Sequence, residues 1–259
     1  MLECHESPVL KSIWQEVSSR EAWTHWYTPS WMGLCLFIEL LLIPYFAGVV
    51  SSTVFEWIFV IGRISYNVGL GAILVAQSNC RWWDAVTAAH CSRGASASLD
   101  EVIHFLAPSR RQHPPVVRSW AVFRIVAGPL MALDLVAHFV LTISGASESR
   151  GDSNPYLDLV GLTMVLGGLA AKIAADRKLG VYGWFLGDFF FVRRTQGFVC
   201  DGIFRFFSHP MYTIGYLHVY GLSLLSRSVR VLVLSMWAHC MQMLFLVLVE
   251  APHMKKVYS

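Results

Sequence analysis

The sequence predicts an all-α integral membrane protein of about six transmembrane helices with short loops and both termini in the cytosol. Three observations carry that prediction. Apolar residues make up 55% of the chain and charged residues only 14%, with a mean hydropathy of +0.51, far from the balance of an ordinary soluble domain. The apolar residues gather into runs near the roughly 20 residues a helix needs to cross hydrocarbon. Lysine and arginine crowd the loops of one side. No Pro/Gly/Ser-rich linker or internal repeat divides the 259 residues, so the chain reads as one domain, 1–259.

The first thirty residues have no apolar core of the kind a cleaved signal peptide carries. Leu10, Ile13, Trp14 and Val17 recur at helical spacing with Lys11, Gln15 and Glu16 opposite. Residues 1–30 are therefore read as an interfacial segment, a packed amphipathic helix being the alternative. Span one runs from Trp31 to Val50 despite Pro44 within it, and span two from about Val54 to Ala76. Span three covers Trp120 to Ile143 and span four Tyr156 to about Ala175. Spans five and six are Met211 to Leu225, which is short, and Val229 to Val249. Between spans two and three, Ser98-Leu-Asp-Glu101 ahead of Val102, Ile103, Phe105 and Leu106 fits a capping box and predicts a short helix ending at Pro108. The basic run from Arg110 to Pro115 reads as a surface loop or as a connector resting on anionic headgroups.

The charge distribution sets the expected orientation. Lys11, Arg20, Arg81, Arg93, Arg110, Arg111 and Arg118 fall on the same side as the basic residues that follow span four and as Lys255 and Lys256. The other side has Arg150, Arg227 and Arg230, which makes the first side cytosolic. The net charge of +3 is too small and too dispersed for a nucleic-acid surface. Six cysteines without C-x-x-C spacing and ten scattered histidines give no zinc, disulfide or facial-triad pattern. A metal is not expected.

The antiparallel course of spans five and six brings two motifs to one membrane face. Pro210 is expected in the first turn of span five, where free N–H groups would accept an anion. Tyr212 and Gly215, three apart, would share a face of that helix, and Gly215 would admit a ligand or a neighbouring helix. Glu250 ends span six, where an acid needs a partner, water or a cation. Span four delivers Gly180, Gly183, Gly187 and Asp188 to the same face among Tyr182, Trp184, Phe185 and Phe189 to Phe191. The glycines serve helix packing or close approach, and the aromatics form an interfacial belt or hold a cation. Together with the acids they favour a cationic cofactor. Arg63, Arg124 and Asp134 lie inside spans and call for an internal salt bridge, or for a lipid phosphate bound by one of the arginines, with Arg193 and Arg194 as competitors.

From Lys172 to Ser259 the chain resembles the phospholipid N-methyltransferases, most of all the fungal-type phosphatidylethanolamine N-methyltransferases. The residues that carry the resemblance are Gly187-Asp-Phe-Phe-Phe191, Asp201-Gly-Ile-Phe204, His209-Pro-Met-Tyr-Thr-Ile-Gly-Tyr216, Tyr220-Gly-Leu-Ser-Leu224 and Val249-Glu-Ala-Pro-His253, with a weaker echo at Gly69-Leu-Gly71 and Gln77-Ser78. The resemblance implies S-adenosylmethionine as methyl donor, the amine of phosphatidylethanolamine as acceptor, an endoplasmic-reticulum membrane and residues 172–259 as the cofactor-binding core. It implies cofactor contacts at Gly180, Gly183, Gly187, His209, Pro210, Tyr212, Gly215 and Glu250. Asp188, His209, Tyr212 and Glu250 are the candidates for removing the amine proton. Animal enzymes of the family carry a Glu-Glu pair, and here Ala251 takes the second place. Fungal-type enzymes carry two such units in a longer chain, against one here. His-Pro-x-Tyr also occurs in isoprenylcysteine carboxyl methyltransferases and sterol reductases. Two readings therefore stand beside methyl transfer: an NADPH-dependent oxidoreductase of the sterol-reductase type, and a catalytically silent lipid-binding scaffold.

Overall fold

The computed structural model describes residues 52–92, 115–148, 154–191 and 199–258. The interfacial segment, span one, the capping-box helix and Arg193 and Arg194 lie outside them. Among the described residues every regular element is helical. α1 (Ser52–Ile64) continues through a π-helical turn, Ser65–Leu70, into α2 (Gly71–Cys80). α3 (Trp82–Ser92), α4 (Pro115–Glu148) and α5 (Pro155–Trp184) follow. α6 (Leu217–Ser226) and α7 (Val229–Phe245) form the hairpin, and a second π-helical turn, Leu246–Glu250, leads into α8 (Ala251–Tyr258).

Four stretches are long and apolar enough to cross a bilayer, Thr53–Cys80, Arg118–Gly145, Pro155–Gly180 and Val229–Val257, and Ile214–Ser226 is a shorter apolar helix. The four long stretches match spans two, three, four and six of the sequence, and the shorter helix lies within the expected span five but begins at Ile214 and not at Met211. Leu159, Leu166, Val233 and Leu248 project outward, each more than half exposed, a surface suited to lipid and costly in water.

Local chemistry explains most of the boundaries. Asn154 Oδ1 accepts from the N–H groups of Tyr156 and Leu157 at 3.1 and 3.3 Å, and Pro155 occupies the next position, where a missing N–H costs nothing. Span four was expected to end near Ala175, yet α5 continues to Gly180, whose φ of 65° breaks the helical path before Trp184. Only glycine adopts that backbone readily. Ser228 caps α7 by accepting from Val231 N at 3.4 Å, directly after Arg227 in the left-handed region. The second π turn sits just before Pro252, which has no N–H to close a turn on Leu248 and whose ring crowds that carbonyl. α3, unforeseen in the sequence, follows a left-handed Arg81 and joins α4 through Trp83 Nε1, which donates to Ser119 O at 2.9 Å.

The spans alternate in direction. Ser78, Ser119, Gly180 and His253 gather at one end, while Arg227 pairs with Asp158 and Arg230 with Glu56 at the other. α5 and α6 approach each other closely. A side chain at Gly161 would lie 3.0 Å from Gly221 O, and one at Gly221 would lie 2.5 Å from Gly161 O. Small residues let two apolar helices meet where lipid supplies no hydrophobic drive.

Several polar side chains inside the bundle are paired. Arg63 Nη2 binds Asp134 Oδ2 at 2.7 Å, and Nη1 donates to Tyr216 Oη at 3.0 Å and to Gln242 Oε1 at 3.2 Å. The internal salt bridge expected for Arg63 is thus present. Arg124 instead lies over the rings of Trp120 and Phe185, 5.0 and 5.1 Å from their centroids. Removing one member of a buried pair strands the other charge, so Asp134→Ala is expected to destabilise the protein by about 3–5 kcal/mol. The double variant Arg63→Met/Asp134→Leu should recover most of that loss, as read by thermal unfolding in detergent.

Candidate functional site

At the end of the bundle marked by His253, a cavity of about 750 Å³ opens between α1, α4, α5, α6 and α7. Gly183, Asp188, His209, Pro210, Tyr212 and Glu250 line it among the described residues. The sequence had placed all of these on one face, and the structure brings them to one chamber.

The joining contact is short. Tyr212 Oη donates to Glu250 Oε2 at 2.7 Å. The other carboxylate oxygen of Glu250 is left for a cationic guest. His209 stands at the mouth, where partial burial pushes its pKa below the ordinary imidazole value. It is neutral at pH 7 and able to accept a proton.

Pro210 does not open a helix. The carbonyl of His209 accepts from Tyr212 N and Thr213 N, both at 3.0 Å, and from Thr213 Oγ1 at 2.9 Å, while Gly215 N donates to Pro210 O at 2.8 Å. Those N–H groups are consumed in a turn, followed by a 3₁₀ turn at Ile214–Tyr216 and only then by α6. The anion-accepting helix end expected at Pro210 is absent for that reason. Tyr212 and Gly215 likewise share no helix face. His239 Nε2 donates to Tyr212 O at 2.8 Å, so its Nδ1 accepts from Tyr220 Oη at 2.7 Å. This histidine of α7 fixes the turn against the hairpin.

The glycines divide. Gly183 faces the cavity, but a Cβ there would stand 2.7 Å from Leu179 Cβ. The space it saves is claimed first by its own chain. Gly180 supplies the kink, Gly187 lies where a Cβ would be 2.6 Å from the Tyr182 ring, and Gly215 sits against Pro210 O and Lys172. None of these three is among the described cavity-lining residues.

The loop bearing Asp188 is held by its carbonyls. Trp120 Nε1 donates to Phe185 O at 3.2 Å and Tyr182 Oη to Phe191 O at 3.2 Å. Arg81 donates to Phe189 O and Phe190 O at 3.2 and 3.0 Å. His253 Nε2 donates to Asp188 O at 2.9 Å, which leaves Nδ1 to accept from Ser78 Oγ at 2.8 Å, with the ring stacked 3.8 Å from that of Phe189. Five carbonyls are thereby satisfied where no helix can satisfy them. The sequence motifs contained His253 but gave no hint that Arg81 was its counterpart.

Further out, Lys178 pairs with Asp201, and the lysine's hydrogen bond holds the Asp201 carboxyl below its ordinary pKa. Cys80, Cys200 and Cys240 are free thiols.

Residues 157–259 match the family described as phospholipid methyltransferase. The chain is 31% identical over 238 residues to a phosphatidylethanolamine N-methyltransferase of Ajellomyces dermatitidis, covering 85% of this chain and 24% of that protein. It is 30% identical over 242 residues to the enzyme of the same name from Lachancea thermotolerans, covering 88% of this chain and 29% of that one. A Paracoccidioides brasiliensis enzyme of that name is 32% identical over 222 residues, or 79% and 23% of the two chains. Over residues 157–259 the chain is similar to the phospholipid methyltransferase family. It spans about a quarter of the length of these curated relatives. No solved structure matches it.

Two measurements check this geometry. Cysteines placed at Met211 and Val249 in a background without native cysteines should crosslink, because Tyr212 and Glu250 touch. His253→Ala should free the Asp188 carbonyl and loosen the 187–191 loop, costing about 1–3 kcal/mol and raising amide exchange there while α4 and α7 stay protected.

Proposed function

We propose that the chain is an integral-membrane phosphatidylethanolamine N-methyltransferase that uses S-adenosylmethionine and works toward phosphatidylcholine. The observation that carries this reading is the Tyr212–Glu250 contact, which joins the two family motifs at one cavity. The names of the relatives support the lipid amine as acceptor and a methyl group as cargo.

The residues present suit that donor. Glu250 keeps one oxygen for an ammonium group, and Trp184 and Tyr66 line the same cavity with aromatic surface. S-adenosylmethionine, when bound, supplies an electrophilic methyl group. The protein's part is to hold the lipid amine close and strip its proton. Tyr212 is already a donor to Glu250 and is a poor base. His209, neutral and at the mouth, takes the proton and passes it to water, with Asp188 in the same cavity favouring the charged amine as it approaches.

Topologically, the reading has six spans, both termini and the cavity mouth on the cytosolic side, and an endoplasmic-reticulum address. Residues 1–259 form a single methyltransferase domain in which 1–30 is interfacial and 172–259 is the cofactor-binding core. The Lys/Arg bias and the soluble cofactor support this orientation.

Purified protein should retain labelled S-adenosylmethionine and not NADPH, and should transfer label to phosphatidylethanolamine. Separating the mono-, di- and trimethylated products gives the number of methyl groups added. Glu250→Gln is expected to weaken cofactor binding about 10- to 100-fold while folding is kept. His209→Gln should lower kcat with cofactor affinity unchanged. Retention of NADPH, or an unaltered affinity in Glu250→Gln, would overturn the assignment.

A further inference from the structure

The cavity has a second polar end. Gln242 of α7 and Glu250, the last residue of the π-helical turn that follows it, are eight residues apart, about two turns along the same span. Around Gln242 lie Arg63, Asp134, Tyr216 and Lys172, all lining the same chamber. The charges there do not balance. Arg63 is matched by Asp134 and its Nη1 is occupied by Tyr216 and Gln242. Lys172 lies inside the apolar stretch Pro155–Gly180, and its ammonium rests 5.2 Å from the Tyr216 ring centroid. Among the described residues it has no ion pair or hydrogen bond of its own, and the acid that acts on it, Asp134, is bound to Arg63.

The chain gives this lysine room. A Cβ at position 215 would lie 3.0 Å from Lys172 Cγ and 3.6 Å from Cε, so glycine at 215 is what lets the lysine stem cross the His-Pro-x-Tyr turn and reach the chamber. A positive charge in excess, in low dielectric, facing an open cavity, costs stability until an anion arrives. An acid at one end and a free cation at the other match a zwitterion, an amine joined to a phosphate by a two-carbon bridge.

We propose that Lys172 is the anion-binding group of this cavity, taking the phosphate of a phosphoethanolamine headgroup whose amine points toward Asp188 and His209 at the mouth. This rests on the lipid-methyltransferase reading. It also moves the phosphate site away from the arginines: Arg63 is spent on Asp134, and Arg124 lies over the Trp120 and Phe185 rings. The carboxylate of the methyl donor has the same oxyanion chemistry, so the test separates the two.

The test uses the full chain in detergent, with Lys172→Met and Lys172→Arg. Binding is measured for dihexanoylphosphatidylethanolamine, for a dialkyl amine of similar apolar mass without phosphate, and for S-adenosylmethionine. Lys172→Met should weaken the phospholipid about 10- to 100-fold, leave the amine and the S-adenosylmethionine affinities unchanged, and keep or raise Tm without lipid. Lys172→Arg should restore most of the phospholipid affinity. A lowered Tm with no selective loss would mark Lys172 as structural and overturn the proposal. Loss of S-adenosylmethionine binding with the phospholipid unaffected would place the anion in the cofactor and overturn it as well. If the wild type neither retains S-adenosylmethionine nor transfers a methyl group, yet binds the phospholipid in a Lys172-dependent way, the enzymatic reading fails and the phosphate subsite stands.

Discussion

One guanidinium holds this bundle in register. Arg63 reaches from α1 to Asp134 of α4, to Tyr216 at the head of α6 and to Gln242 of α7. In a medium without water each of those groups would otherwise be stranded. Apolar helices sliding in lipid have no preferred depth relative to one another. A fork of fixed geometry supplies it, because only one axial offset lets all three acceptors meet the same plane. The glycine contact of α5 with α6 then sets how closely the next helix approaches, and the hairpin carries Glu250 to its place beside Tyr212.

The depth so fixed gives the cavity two unlike ends. Near the mouth, Glu250, Asp188 and His209 offer negative charge and a neutral base, and toward the middle of the spans Lys172 offers the opposite charge. An ordinary apolar pocket would select ligands by shape alone. A chamber polarised along its length selects by orientation too, since a zwitterion inserted the wrong way meets like charge at both ends.

Much of this was legible in the residues. Spans two to six follow from runs of apolar side chains, and the meeting of His209-Pro-Met-Tyr212 with Glu250 follows from the hairpin between them. What the residues did not reveal are departures from helical regularity. Pro210 looks like a helix start, but the carbonyl of His209 captures the very N–H groups that a helix end would leave free. The two π turns meet where Tyr66 stacks on Phe245, with ring centroids 6.1 Å apart, and where Gly71 lies against Val249, pairings that no local spacing encodes. Arg81 looked like one more basic loop residue, and Lys172 like a charge at the end of span four. The extra length of α5 past Ala175 is what puts that lysine inside the bundle, and only the kink at Gly180 ends the span.

The clamp on the 185–191 loop bears on how the protein is made. Arg81 acts on it from a hundred residues upstream, whereas His253 acts from the far side of the hairpin and draws Ser78 into the same contact. Helices emerging from the ribosome insert in order, and contacts between residues distant in the chain close late. The loop that bears Asp188 therefore waits, with Arg81, Trp120 and Tyr182 on its other carbonyls and that of Asp188 still open, until α8 has been synthesised. A ribosome that stalls after α7 would leave a bundle already embedded in the bilayer with an unlatched mouth.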